Sequence, residues 1–310
     1  MSPVTDRPER LMLLDSASLY FRAFYGMKES ITAPDGTPVN AVRGFLDFIA
    51  RLVTDHEPTR LVCCWDDDWR PQFRVTAIPS YKAHRVADEV ANAEEVPDAL
   101  AAQVPVIAAV LTAFGIARVG AAGYEADDVI GTLAARASVP VDVVTGDRDL
   151  FQVVDDARRV RVLYTAKGGV ARAELVTESV VAERYGVPPQ SYADFAALRG
   201  DPSDGLPGVP GIGEKTAAAL IAAYGSLDGV RRAAQARDPG VRSSVHDKVL
   251  AARAYLDVAP AVVRVALDVP VPDFDDRLPS VPADPDTLGG LCERWGLTTS
   301  VKRLQAALAR

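Results

Sequence analysis

The stretch VDVVTGDRD (residues 141–149) joins an apolar run to two acidic residues, Asp147 and Asp149. The run 141–144 predicts a strand. Four more apolar runs predict strands, at residues 11–14 (LMLL), 61–65 (LVCCW), 116–119 (IARV) and 160–164 (VRVLY). Helical patterns alternate with them, at residues 42–54, 98–114 and 126–137. Because apolar strands alternate with helices, the sequence predicts an α/β fold whose parallel central sheet has helices on both faces.

The chain changes character after about residue 185. It then contains Pro-Gly loops and Ala-rich segments such as 216–223 and 247–256, with no convincing strand. Residues 268–285 are rich in Pro and Asp, which predicts an extended linker, and residues 288–309 favour a helix that packs back on the body. We therefore predict a core over residues 1–185, a helical subdomain over 186–270, and a linker with a C-terminal helix over 271–310.

The composition is that of an ordinary soluble globular protein, with 310 residues, 48% hydrophobic and 25% charged. The first ten residues are polar and lack the apolar core of a signal peptide. The most apolar region, 104–117, is shorter than the roughly 20 residues that span a membrane. The adjacent Cys63 and Cys64 suit buried reduced thiols. We therefore expect a cytoplasmic protein with no membrane partner.

Acidic residues recur where the predicted strands end. Asp15 follows LMLL, Asp66 follows LVCCW, and Asp147 and Asp149 follow VDVVTG. In open α/β sheets the functional site lies beyond the carboxyl ends of the strands, so these acids should meet at one edge. The segment GYEADDVIGTLAARA adds three acids at the start of a predicted helix, Glu125, Asp127 and Asp128. When this segment is considered alone, helix capping explains the three acids about as well as a functional site does.

Seven carboxylates at one edge predict bound cations, because like charges so close together cannot all stay ionised without them. No His or Cys joins the set, so the ligands are all oxygen, which favours Mg²⁺ or Mn²⁺. Pairs of such ions, about 3.5–4 Å apart, recur in enzymes that cleave phosphodiesters. No Ser-His-Asp or Cys-His arrangement competes, because the three histidines have no obvious partners.

A second motif, GDPSDGLPGVPGIGEKTA (residues 200–217), places Asp201 and Asp204 before a turn rich in Gly and Pro. It is not a P-loop, because Glu214 separates the last glycine from Lys215 and no apolar strand precedes it. A tight turn that exposes backbone N–H groups at a helix N-terminus can grip a nucleic-acid phosphate without reading sequence. A plain helix–helix turn is the alternative, which the density of glycine disfavours.

Six segments together resemble the bacterial 5′-nucleases of the flap endonuclease superfamily, which include the 5′-nuclease domain of DNA polymerase I. In family order they are LLDSASLYFRAF, CWDDDWRPQFR, YKAHR, GYEADD, TGDRDLFQ and GDPSDGLPGVPGIGEKTA. The resemblance covers most of the chain. It implies a PIN-like α/β core with a helical helix-three-turn-helix subdomain that binds DNA.

The resemblance also implies roles for particular residues. Two or more Mg²⁺ or Mn²⁺ ions are expected on Asp15, Asp66, Glu125, Asp127, Asp128, Asp147, Asp149, Asp201 and Asp204. The expected catalytic side chains are Arg74 and, in or beside a helical arch at about residues 78–105, Tyr81, Lys82 and Arg85. The expected clamp on the DNA duplex, where relatives can hold K⁺, comprises Gly208, Gly211, Ile212, Gly213, Lys215 and Thr216.

The sequence departs from the family pattern at two places. Gly205 stands where the family usually has Asn, which we expect to loosen the turn but to leave both neighbouring aspartates in place. Asp67 and Asp68 are additional acids, for which a solvated turn is favoured over an extra cation.

The net charge of −8 argues against a nucleic-acid partner only if the acids are spread over the surface. If the nine expected metal ligands are ionised they carry −9, so the rest of the chain carries +1. That remainder permits local basic surface but does not predict strong nonspecific DNA binding at high salt.

The sequence therefore predicts a stand-alone, metal-dependent 5′-nuclease that cuts DNA where a 5′ single strand meets a duplex. The expected substrates are DNA with a 5′ flap, a nick or a 5′ single-stranded end, and also RNA–DNA hybrids. The expected setting is replication and repair at the nucleoid, such as Okazaki fragment processing or RNA primer removal, by a monomer.

Three alternatives remain. A PIN-type ribonuclease would use fewer acids and would lack the glycine-rich turn at Gly208, Gly211 and Gly213, called the hairpin below. A non-catalytic DNA-junction binder would have lost some of the acids. An aspartyl phosphatase would need a second acid two residues after Asp15, where the chain has Ala17.

Overall fold

The computed structural model describes residues 8–88, 93–240 and 242–310. Its strands are β1 (Leu11–Asp15), β2 (Arg60–Cys64), β3 (Val86–Asp88), β4 (Ala93–Glu94), β5 (Ala117–Val119), β6 (Val141–Thr145), β7 (Val160–Tyr164) and β8 (Glu174–Val176). Six of them form a central sheet in the order β5-β2-β1-β6-β7-β8, while β3 and β4 pair separately. Neighbouring strands of the central sheet run parallel except β8, which is antiparallel to β7.

Helices connect the strands and form most of the C-terminal half. In the core they are α1 (Ser16–Gly26), α2 (Asn40–His56), α3 (Gln72–Ala77), α4 (Asp98–Ala101), α5 (Val104–Phe114), α6 (Ala126–Arg136) and α7 (Glu178–Tyr185). They continue with α8 (Tyr192–Arg199), α9 (Glu214–Tyr224), α10 (Leu227–Ala236), α11 (Ser243–Ala251), α12 (Arg253–Val263), α13 (Pro285–Trp295) and α14 (Thr298–Leu308). Among the residues described, no helix is both long enough and apolar enough to cross a membrane.

The sheet is buried on both faces, as its continuous apolar strands predict. Alternate residues of β1 enter two separate apolar cores. Leu13 belongs to the core that contains residues of α6 and of α8 to α12, whereas Met12 and Leu14 belong to the core that contains residues of α2, α5, α13 and α14. Across the sheet, Leu13 lies opposite Val62 of β2 and Val143 of β6. The predicted α/β fold with helices on both faces is therefore confirmed.

The five strands predicted from sequence are present, with boundaries that differ by a residue or so. The short antiparallel strand β8 was not predicted. The helix predicted at residues 98–114 is two helices, α4 and α5. Because Pro105, in the first turn of α5, has no N–H to donate, it begins a new helix.

Two C-terminal predictions also need correction. Residues 247–256 belong to two helices, α11 and α12, which meet at Ala252. The single helix expected over 288–309 is also two, because Gly296 ends α13 in a left-handed conformation with φ of 64°. Most of residues 268–284, the segment predicted as an extended linker, is neither helix nor strand. Helix α14 packs against α2, and α13 packs against α5.

The helical arch expected at about residues 78–105 is wrong for the residues described. This region holds a 3-10 turn at Ala83–Arg85, the antiparallel pair β3–β4, and the four-residue helix α4; residues 89–92 lie outside the described ranges. Lys82 is left-handed, with φ of 48°, so no regular helix can run through it. Val86 pairs with Glu94 in the antiparallel pair β3–β4.

Candidate active site

The ends of β1, β2 and β6 meet at one edge of the sheet. Asp15, the last residue of β1, lies opposite Cys64, the last residue of β2, so Asp66 follows just beyond the sheet. A cavity of about 460 Å³ opens there. Five of the nine expected metal ligands line it: Asp15, Asp66, Glu125, Asp127 and Asp147. The convergence of acids predicted from the strand ends is thus present in the structure.

Local backbone structure fixes the direction of two of these carboxylates. Asp15 caps α1 by accepting a hydrogen bond from the Ser18 N–H at 3.1 Å, and its other oxygen accepts from the Thr145 hydroxyl at 2.6 Å. Asp66 accepts from the N–H of Ala126, the first residue of α6, at 2.8 Å. The start of each helix therefore orients one acid at the edge of the cavity.

Burial strongly perturbs the acids that line the cavity. It raises the pKa of Asp15 to about 7, and the nearby charges of Asp66 and Asp147 add to the effect, although the Thr145 hydrogen bond opposes it. Burial likewise raises the pKa of Asp66 to about 6. For Asp127, burial and then the charges of Asp15 and Asp147 raise the pKa well above its ordinary range. These carboxylates can all ionise at neutral pH only if positive charge compensates them.

We expect added Mg²⁺ to raise the unfolding temperature much more at pH 8 than at pH 5.5. The folded pKa of Asp15, about 7, exceeds its ordinary value of 3.8, so the ion-free fold loses stability as pH rises from about 4 to 7. Above pH 7 the carboxylate is ionised and a divalent cation can bind it. Thermal unfolding with and without Mg²⁺ across this range measures the difference. An equal shift at both pH values would contradict these protonation states.

A smaller cavity of about 20 Å³ adjoins the first and shares Glu125 and Asp127 with it. Asp149 and Asp204 line this second cavity. Burial, followed by the charges of Asp147 and Asp204, raises the pKa of Asp149 well above its ordinary range. Among the residues described, nothing donates a hydrogen bond to the buried Oδ1 of Asp149. A buried carboxylate oxygen without a donor fits a cation ligand, because such an oxygen otherwise loses its hydration without compensation.

Two of the nine acids, Asp128 and Asp201, line neither of the two cavities. Asp128 is fully buried outside both cavities, where each of its oxygens accepts from the Arg74 guanidinium, at 2.7 and 2.9 Å. Its Oδ1 also accepts from the Ala266 N–H at 2.8 Å. Asp201 accepts from Arg148 at 2.7 Å and from the Ser203 N–H at 3.0 Å. An ion bound to either residue would compete with these partners, so their role as metal ligands stays a prediction.

The side chains expected to be catalytic occupy different places. Lys82 and Arg85 line the large cavity, whereas Tyr81 is buried and donates its hydroxyl to Glu125 at 2.7 Å. Arg74 is only 3% exposed. Its Nη1 atom lies 3.1 Å from Oε1 of Glu125, and its guanidinium also forms an ion pair with Asp128. Arg74 therefore orients Glu125 and Asp128 from the wall of the smaller cavity, and its expected catalytic role stays a prediction.

Basic groups neutralise several acids of the site. Lys82 pairs with Glu125, and Arg85 pairs with Asp204 at 2.9 Å. Within the described ranges, no three acidic, His or Cys side chains converge as a ready-made ion site. A divalent cation at this edge would compete with Lys82 and Arg85 for the same oxygens.

Gly205 lets the turn before the hairpin contact the segment that carries the basic residues. Its φ is 69°, and a Cβ there would overlap the carbonyl oxygen of Ser80. Around this contact the Ser80 hydroxyl donates to the Gly205 carbonyl at 2.7 Å, and the Lys82 N–H donates to the Asp204 carbonyl at 3.0 Å. The expected loosening is therefore wrong, because glycine here permits closer packing than asparagine would.

Gly205→Asn is expected to slow single-turnover cleavage of a flap substrate by at least about ten-fold, because the added side chain displaces Ser80 and with it Lys82, and small misplacements near reacting groups are costly. Affinity for the duplex should stay within about two-fold, since the hairpin surface is untouched. The control is Gly225→Asn, at φ of 77° with no described atom within 4 Å of an added Cβ. Equal rates for both variants would refute the role of the contact.

The hairpin residues divide into buried and exposed sets. Gly208 is buried, and a Cβ there would collide with the backbone of Arg199 and Gly200. Ile212 is 3% exposed and packs in the core. Both pack in the protein interior, and their expected contacts with DNA stay a prediction. The exposed residues are Gly211, Gly213 and Lys215, and Thr216 is partly exposed in the first turn of α9.

Sequence reasoning missed several residues of the large cavity, namely Phe21, Trp69, Glu94, Arg148 and Tyr164. Arg148 could have been found, because it stands between the two acids of TGDRD. No sequence pattern marks Glu94 as a site residue, because it reaches the cavity only through the pairing of β3 with β4. Asp67 is exposed, and Asp68 accepts from the Arg70 N–H at 3.1 Å, as expected of a turn.

Comparison with known proteins gives matches over most of the chain. Residues 10–186 match the family model described as "5'-3' exonuclease, N-terminal resolvase-like domain", and residues 187–286 match "5'-3' exonuclease, C-terminal SAM fold". A 5'-3' exonuclease of Streptomyces coelicolor is 61% identical and covers 96% of this chain and 99% of its own. One from Mycobacterium tuberculosis is 56% identical, with coverage of 96% and 97%.

Longer relatives and solved structures extend the comparison. DNA polymerase I of Mycobacterium tuberculosis is 42% identical over 92% of this chain, which spans 30% of that polymerase. Zinc-bound T5 5'-exonuclease has a TM-score of 0.65 at 18% identity, with 97% of each chain covered. The catalytic core of Rad2 with DNA substrate has a TM-score of 0.60 at 17% identity, covering 98% of this chain and 93% of its own. At these identities the solved structures establish similarity of fold.

Proposed function

The chain belongs to the 5′-3′ exonuclease family and is a structure-specific 5′-nuclease, and from this premise we propose how it selects and cuts its substrate. It hydrolyses DNA phosphodiesters where a 5′ single strand meets a duplex, with two or more divalent cations, Mg²⁺ or Mn²⁺, held by its acidic cavities. Flaps, nicks and 5′ single-stranded ends are its substrates, and RNA–DNA hybrids are included. The setting is replication and repair at the nucleoid, including primer removal, by a monomer.

The observation that carries this proposal is the pair of adjoining cavities with Glu125 and Asp127 in both walls. The larger cavity is also lined by Asp15, Asp66 and Asp147. The smaller one is also lined by Asp149 and Asp204. Divalent cations held there would stabilise charge on the phosphate and lower the pKa of an attacking water.

Lys82 and Arg85 carry the positive charge on the open side of the larger cavity. If divalent cations bound Glu125 and Asp204, the Lys82 ammonium and the Arg85 guanidinium would be free to bind the scissile phosphate. Phe21 and Trp69 line the same cavity and supply apolar surface for a nucleobase.

The hairpin holds the duplex. Its exposed backbone at Gly211 and Gly213 leads into the N-terminus of α9, where N–H groups favour phosphate, and Lys215 adds a positive charge. The contact of Gly205 with Ser80 joins this clamp to Lys82. The distance between the hairpin and the larger cavity is therefore fixed, so the protein recognises a junction by the shape of the DNA.

The test is an end-labelled 5′-flap duplex incubated with Mg²⁺, beside a 3′-flap duplex and a single-stranded RNA of matched length. We expect cleavage within about one nucleotide of the 5′-flap junction, leaving a 5′-phosphate, because backbone contacts fix the register. Preferred cleavage of the single-stranded RNA would favour the PIN-type ribonuclease. Binding to the flap without any cleavage would favour the non-catalytic junction binder.

Lys82→Met and Lys215→Met are expected to affect different steps. Lys82 lies in the cavity, so its loss should slow single-turnover cleavage by about ten-fold or more with little change in affinity. Lys215 is exposed beside the hairpin, so its loss should weaken duplex binding. It should also lower the salt slope, the steepness with which the logarithm of the binding constant falls with the logarithm of the salt concentration, by about one unit. Binding titrations in a salt series and single-turnover kinetics separate the two. The reverse pattern would invalidate this division of labour.

A further inference from the structure

A lysine from another helix lies against the hairpin. The Lys248 side chain, on α11, donates from Nζ to the Gly211 carbonyl at 2.9 Å, across 37 residues of chain. Gly211 is left-handed, with φ of 76°, and a Cβ at that position would lie 2.7 Å from the Lys248 Nζ. Glycine suits this left-handed backbone conformation and leaves room for the ammonium.

The position of Lys248 is fixed by the packing of its helix. On either side of it, His246 and Val249 are buried at 2% and 3% exposure, and α11 packs against α10 and α12. Lys248 itself is partly exposed. Within the described residues no carboxylate forms an ion pair with it, although its neighbour Asp247 pairs with Arg237 at 3.1 Å. The ammonium thus stands at the hairpin with its charge uncompensated.

This arrangement leaves no place for a K⁺ ion on the same oxygen. A cation bound to the Gly211 carbonyl would stand within a few ångströms of the Lys248 Nζ, where two positive charges repel strongly. The K⁺ expected from the resemblance therefore does not fit this carbonyl. The ammonium itself places a positive charge on this backbone oxygen.

We propose that Lys248 is the built-in cation of the duplex clamp: its ammonium binds a DNA phosphate at the hairpin and makes that grip independent of K⁺. The proposal rests on the proposed function, in which the hairpin holds the duplex. An ammonium has three donors, and the Gly211 carbonyl takes one, so two remain for phosphate oxygens. Lys248 then acts beside Lys215 and the exposed backbone of Gly213 as one phosphate-binding surface.

The test is equilibrium binding of a fluorescent duplex in EDTA, at several ionic strengths, in KCl and separately in NaCl. For the wild-type protein we expect the same affinity in both salts. Lys248→Met should bind several-fold more weakly and lower the salt slope by about one unit, because one phosphate contact is lost. With the ammonium gone the Gly211 carbonyl is open to solvent ions, so this variant should bind better in KCl than in NaCl.

Two further variants control the measurement. Lys302→Met removes an exposed lysine on α14, which packs on α2, and should leave the slope unchanged. Lys248→Arg keeps the charge and should keep most of the slope. Wild-type binding that requires K⁺, or an unchanged slope in Lys248→Met, would overturn the proposal. Junction cleavage by the wild-type protein in Mg²⁺ is scored separately, so failure of this inference is distinguishable from failure of the proposed function.

Discussion

Asp127→Asn is expected to reduce single-turnover cleavage of a 5′-flap duplex by at least about 100-fold, the scale of losing a key electrostatic group or metal ligand. Asp127 lies in the walls of both cavities, so its loss weakens both candidate ion sites at once. The substitution keeps the size of the side chain and removes one negative charge from a crowded set. The folded protein should therefore be at least as stable without metal, and affinity for DNA should persist.

The matched control is Asp67→Asn, which removes the same charge from an exposed residue next to Asp66 that lines neither cavity. Its rate should stay within about two-fold of wild type, as is usual for surface positions. Rates are compared at saturating protein, with thermal unfolding to verify folding. Cleavage by Asp127→Asn within ten-fold of wild type would remove Asp127 from the catalytic site.

Chelation of metal is expected to abolish cleavage altogether. The candidate ligands of both cavities are carboxylates, and no described His or Cys side chain lines either one. Without a divalent cation the site has no group to lower the pKa of water or to offset repulsion between acids and phosphate. Activity should vanish in excess EDTA and return with Mg²⁺ or Mn²⁺, whereas duplex binding at the hairpin should survive. Undiminished cleavage in EDTA would overturn the metal-dependent account.

The sheet and the larger cavity could be predicted because both follow from one local pattern. An apolar strand that ends in an acid fixes where the acid goes, since parallel strands end at the same edge. Asp15, Asp66 and Asp147 followed from this rule alone. Glu125 and Asp127 required the further step of placing the start of α6 at the same edge, which the Ala126 N–H bond to Asp66 accomplishes.

What could not be predicted depends on contacts between distant parts of the chain. Asp128 has the same local pattern as Asp127, yet one residue further along α6 it points away from the cavity toward Arg74. A helix turns by about 100° per residue, so adjacent acids project in different directions. No sequence pattern says which of the two does.

The positions of Lys82 and Arg85 could not be predicted for a different reason. Lys82 and Arg85 were expected in or beside a helical arch, whereas Lys82 is left-handed and the β3–β4 pair follows Arg85. The close approach of Gly205 to Ser80 and of Lys248 to Gly211 involves backbone atoms, whose positions only the assembled fold determines.

The most direct measurement is a titration with Mn²⁺ followed by electron paramagnetic resonance, which counts ions bound to the protein. For the wild-type protein at pH 8, the two adjoining cavities predict two ions bound per chain. Asp127→Asn should lose at least one of them, and Asp67→Asn should keep both. If the wild-type protein bound no Mn²⁺, or if Asp127→Asn bound as many ions as wild type, the cavities would not be the metal centre that cuts DNA.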